Sequence, residues 1–75
     1  MLRQLAEGNV RAALNGTVGV VVIDPHFEAD AHGEAQWNRV VRWAYGHGFE
    51  IDDDPVLEQD DGTTYYVLHP TTEKG

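Results

Sequence analysis

Apolar positions change their spacing along the chain, and each spacing predicts an element. From Leu2 to Leu14 the residues Leu2, Leu5, Ala6, Val10, Ala13 and Leu14 recur at three- and four-residue steps, which gathers side chains on one face of a helix. Asn15-Gly16 follows; both tolerate the left-handed conformation that closes helices, so a first helix is expected over 2–14. Thr17 to Asp24 is β-branched and apolar without alternation, which predicts a strand covered on both faces. Pro25 ends it.

A second helix is expected from Asp30 or Gly33 to Tyr45, with Trp37, Val40, Val41 and Ala44 as its buried stripe and Gly46-His47-Gly48 as its stop. Phe49, Ile51, Val56 and Leu57 predict a strand interrupted near Pro55, which fits an edge or a bulge because proline cannot donate to a ladder. Gln59 to Gly62 reads as a turn. Thr63 to His69 reads as a strand with Tyr65 and Val67 on one face and Thr64, Tyr66 and Leu68 on the other. Residues 71–75 read as a frayed tail.

The order helix, strand, helix, strand, strand predicts a single α+β domain over 1–75. A right-handed crossover makes the first two strands parallel, and a third strand between them gives a three-stranded, mainly antiparallel sheet with two helices on one face. A winged helix is the alternative, and it needs a further short helix within 25–33. In the preferred layout Tyr66 and Leu68, with Val21 or Ile23, are expected on the open face of the sheet. Such a patch predicts a homodimer, or a monomer that uses this face for its partner.

Composition narrows the function. The 75 residues include neither cysteine nor serine, and the lone lysine is Lys74, so serine and cysteine nucleophiles are excluded and a lysine Schiff base is disfavoured. A domain of this size is marginally stable and has little left to hold strained catalytic geometry. Gly16 to Gly19 precedes a strand and Gly46-His47-Gly48 follows a helix, the wrong order for phosphate-binding loops. Asp52-Asp53-Asp54 lacks the spacing of an EF-hand. A non-enzymatic protein without a cofactor is expected. The longest apolar run, Val18 to Ile23, is far too short to span a bilayer, and a cytoplasmic protein is the default expectation.

Charge supplies the leading functional expectation. Thirteen acids against five bases give a net charge of -8, which repels nucleic acid and anionic lipid directly and favours a larger protein with a basic surface. No basic residue lies between Arg42 and Lys74. If Phe49 and Ile51 point inward, then Glu50, Asp52 and Asp54 point outward at about 6.5–7 Å intervals, and Glu58, Asp60 and Asp61 continue the row around the turn. These six carboxylates can stand in for phosphates before a nucleic-acid-binding protein, as an inhibitor or adaptor would. The plainer account is that acids on an edge keep a small protein soluble. Trp43, beside Arg39 and Arg42, and Tyr66 are candidate contact residues because tryptophan, tyrosine and arginine are enriched in interfaces.

A second class of function is suggested by Asp24, His26, Glu28, Asp30 and His32, which alternate along the chain. In an extended segment they share a face and can converge on zinc or manganese, with Asp24, His26, Glu28 and His32 as ligands. Against this, Asp24 or Asp30 is a natural helix cap, and a helix starting near Asp30 rotates His32 away from His26. A third class, a winged-helix subunit of a DNA-binding assembly, offers only Arg39 and Arg42 on its recognition helix.

Overall fold

Backbone pairing in the computed structural model, which describes residues 2–71, replaces the first expected helix by a hairpin. Strands β1 (Leu2–Glu7), β2 (Val10–Asn15) and β3 (Val18–Ile23) form a meander, followed by α1 (Ala31–Gly46), β4 (Phe49–Ile51), β5 (Leu57–Glu58) and β6 (Thr64–Pro70). All pairs are antiparallel and the sheet order is β1-β2-β3-β6-β4, with β5 also paired to β6. Among the described residues the molecule is thus a small α+β protein with one helix and a six-stranded antiparallel sheet. The last strand does lie between β3 and β4, as the crossover argument expected.

The helix expected over 2–14 fails for a local reason. Glu7 pairs with Val10 and Asn15 with Val18, leaving the two-residue turns Gly8-Asn9 and Gly16-Thr17. Gly8 and Gly16 adopt φ of 60° and 67°, the positive first position that tight hairpin turns require. Gly8 also has no room for a Cβ, because the amide of Gln36 occupies that space. Val10, Ala12 and Leu14 are buried while Arg11 and Asn15 are exposed, a two-residue period hidden inside the same apolar string. Asn15-Gly16 is therefore a strand turn, not a helix stop.

Helix α1 starts where a cap is available. Asp30 has extended backbone geometry, and its Oδ1 accepts a hydrogen bond from the Gly33 N–H at 2.9 Å, satisfying one of the free first-turn donors. Its other end closes through His47 and Gly48, whose N–H groups donate to the carbonyls of Ala44 and Tyr45. The buried stripe is Gly33, Gln36, Val40 and Ala44; Trp37 and Val41 sit half-buried beside it.

The core lies between this stripe and one face of the sheet. Val10, Ala12, Leu14, Val21, Phe49 and Leu68 pack with Val40 and Ala44. Pairing of Gly19 with Leu68 and of Val21 with Tyr66 fixes the parity of β6, so Leu68 and Val21 are 1% and 0% exposed. Tyr66 and Leu68 therefore face the helix, and the expectation that they lie on the open face is corrected. The open face carries Ala6, Ala13, Val20, Val22, Tyr65 and Val67 instead. No element among the described residues covers it, so β3 is covered on one face only.

The winged-helix alternative also falls. Residues 25–30 form turns and bends, and α1 is the single helix among the described residues. Of the expected tail, Thr71 donates its N–H to the Gly48 carbonyl at 2.9 Å, and residues 72–75 lie outside the described residues.

Candidate functional site

Three connections meet at the end of the sheet where α1 begins: the Gly8-Asn9 turn, the segment from Asp24 to Asp30, and the turn from Gln59 to Gly62. The Asp24 N–H donates to the Asn9 carbonyl at 2.8 Å and the Asn9 amide donates to the His26 carbonyl at 3.3 Å. Gly62 approaches Pro25 so closely that a Cβ there would lie 3.2 Å from the proline ring. Ile23 pairs with Thr64, and Glu58 pairs with Thr64 across β6.

These contacts fold two acidic segments against each other. One supplies Asp24, Glu28, Asp30 and Glu34 from a stretch with no Lys or Arg between Arg11 and Arg39, and the other supplies Glu58, Asp60 and Asp61. Asp61 holds its turn by accepting the Thr63 N–H at 2.9 Å. That bond keeps its carboxyl below the ordinary range, as the Gly33 N–H does for Asp30. Among the described residues the only carboxylate paired with an arginine is Glu7, which Arg39 reaches at 3.2 Å. Arg3 lies at the opposite end of the sheet, 3.1 Å from His47 Nδ1.

The six carboxylates expected in one row divide in space. Glu58, Asp60 and Asp61 belong to the acidic end just described. Glu50 faces the open side of the sheet opposite His69, and Asp52 Oδ1 lies 2.7 Å from His69 Nε2. The regular outward spacing stops at Ile51, because β4 is three residues long and the chain leaves the ladder at Asp53. It rejoins where the Val56 N–H donates to the Tyr65 carbonyl. Asp53 and Asp54 are exposed in this bulge, which lies opposite Tyr66. Trp43 is half-buried and meets His47 edge-on at 5.0 Å; its expected neighbour Arg39 turns instead to Glu7.

The proposed metal ligands come together only in part: His26, Glu28 and His32 line one small cavity with Asp30, while Asp24 turns to His26. Asp24 Oδ1 accepts the His26 N–H at 2.8 Å and lies 3.1 Å from His26 Nδ1, which curls the segment into a turn rather than an extended row. Asp30 is committed to the helix cap, and His32 is in the first helical turn. Among the described residues no group of three or more His, Asp or Glu side chains is placed to hold a metal ion. Among the described residues the alternation of Asp24, His26, Glu28 and His32 thus brings three of the four around one cavity, without the close grouping that holds an ion.

Between the helix and the sheet, at the same end, lies a cleft of about 270 Å³ lined by Ile23, Phe27, Ala29, Glu34, Trp37 and Tyr66. Trp37 and Tyr66 meet edge to face, with ring centroids 5.2 Å apart and planes at 62°. Glu34 precedes Trp37 by three residues, so both side chains fall on neighbouring positions of the helix surface. Phe27 is held over the cleft by its N–H bond to the Asp24 carbonyl, 2.9 Å. Sequence reasoning took Trp37 as core and left Phe27 and Glu34 unassigned. Their common feature, nearness to one strand end, depends on the β3–β6 register.

No protein family, curated protein or solved structure matches this chain in these comparisons. Fold and site together define a small α+β protein with a strongly acidic end. Among the described residues no helix is long and apolar enough to cross a membrane.

Proposed function

We propose that this chain is a small, acidic, non-enzymatic binding protein that engages a basic surface of a larger protein, as an inhibitor or adaptor. Nucleic-acid mimicry is its concrete form. The observation that carries this reading is the convergence of Asp24, Glu28, Asp30, Glu34, Glu58, Asp60 and Asp61 on one end of the fold, where no arginine neutralises them. Acids spread only for solubility have no need to collect at one end. Such a surface steers and orients a basic partner, and its contribution is screened by salt. Captured on the immobilised chain, the partner elutes as salt is raised, and amide substitution of Glu28, Glu34, Glu58, Asp60 and the outlying Asp54 abolishes capture. Capture that survives both high salt and the amide variant overturns the electrostatic mechanism.

A second reading is favoured by the open face of the sheet, and here the occupant is a second copy of the chain. Five strands about 4.8 Å apart and three rows of outward side chains about 6.8 Å apart give roughly 500 Å² per copy, so a face-to-face pair reaches about 1,000 Å², the lower limit for a specific interface. Sedimentation at micromolar concentration is expected to show a dimer that Val20→Lys with Val67→Lys converts to monomer. A wild-type monomer removes this reading.

A further inference from the structure

We infer that the cleft between Phe27, Trp37 and Tyr66 is a receptor for a single arginine side chain projecting from the basic partner; this rests on the acidic-end reading above. The cleft is smaller than the roughly 300–1,000 Å³ typical of small-molecule pockets. At about 270 Å³ it holds the space of about nine waters, enough for one long side chain with part of its hydration. Three of its six lining residues are aromatic, and the one charged residue is the carboxylate of Glu34. Among the described residues Glu34 has no ion-pair partner.

That combination selects for a cation. Aromatic faces attract positive charge through their quadrupole, and they favour guanidinium over ammonium because the planar, weakly hydrated group also stacks. Glu34 adds an acceptor that matches the fork of a guanidinium. An apolar occupant would gain nothing from Glu34, and an anion would meet the Glu34 carboxylate inside the cleft. The chain segments that form the cleft carry no Lys or Arg over residues 12–38 or 43–73. Charge complementarity therefore assigns the occupant to a basic protein side chain.

The assignment is tested by titrating the full chain with two flexible peptides of equal charge, one carrying arginines and the other lysines, while following both tryptophan indole N–H resonances. The arginine peptide is expected to shift the Trp37 resonance and leave that of Trp43 in place. It should bind about two- to five-fold more tightly than the lysine peptide, because the guanidinium adds stacking and a forked bond to Glu34 to the cation–π attraction that both cations feel. Phe27→Leu should weaken arginine binding more than lysine binding and so reduce the arginine preference. Glu34→Gln, at an exposed position that does not touch the core, should weaken arginine binding and move the Trp37 shift. Equal affinities with an unmoved Trp37 resonance overturn the cleft and leave the acidic-end reading standing. Failure of both peptides to bind at low salt overturns both readings.

Discussion

Replacing Leu68 by alanine and, separately, Val67 by alanine probes the assignment on which the cleft and the open face both depend, the parity of β6. Leu68 is 1% exposed and packs beneath α1, whereas its neighbour Val67 is half-buried on the other face of the sheet. Leu68→Ala removes three carbons at about 0.8 kcal/mol each and leaves a cavity, so it should cost about 3–4 kcal/mol. The whole domain is worth about 4–11 kcal/mol at this length. The midpoint of thermal unfolding should therefore fall by at least about 12 °C. Val67→Ala removes two carbons that stay partly in water, and should cost under about 1 kcal/mol. Urea titration followed by circular dichroism measures both, with an unchanged slope showing that the difference lies in stability. A Val67→Ala cost that equals or exceeds that of Leu68→Ala, and does not depend on protein concentration, refutes the parity and the cleft with it.

The two hairpin glycines form a matched pair, since Gly8 and Gly16 share a positive φ but only Gly8 is crowded, by Gln36. Gly16→Ala should cost about 1–2 kcal/mol for the left-handed backbone alone, and Gly8→Ala more than that; equal costs in urea unfolding would remove the Gln36 contact from the account. At the helix start, Asp30→Ala should lower the melting midpoint and Asp30→Asn should largely preserve it, because asparagine keeps the capping oxygen. Native Asp30 and Asp61 both titrate below their ordinary value of 3.8 through backbone hydrogen bonds. Their contribution to stability is therefore complete above that value and is lost as pH falls through the lowered native value. A melting midpoint independent of acid in this window, or unchanged by Asp30→Ala, contradicts the cap.

Much of the fold from Thr17 onward was legible along the chain, because its signals are local. The β-branched run of β3, the cap at Asp30, the glycines after Tyr45, the break near Pro55 and the Gln59–Gly62 turn each act within a few residues, and the strand order β3-β6-β4 is the one the preferred layout places there. The first fifteen residues were misread because Leu2, Leu5, Ala6, Val10, Ala13 and Leu14 satisfy a helical period while Val10, Ala12 and Leu14 satisfy a strand period. Gly8-Asn9 was the local sign that decided between them. What no local signal contains is which of two alternating faces turns inward. Tyr65 with Val67 and Tyr66 with Leu68 are equally good stripes, and the choice was made by the pairing of Leu68 with Gly19 beneath the helix. Net charge and the acidic runs likewise belong to the sequence alone. Their collection at one end, around Phe27, Glu34, Trp37 and Tyr66, belongs to tertiary structure, because it requires Pro25 against Gly62 and Ile23 opposite Thr64, contacts between residues some forty positions apart that only the closed sheet brings together.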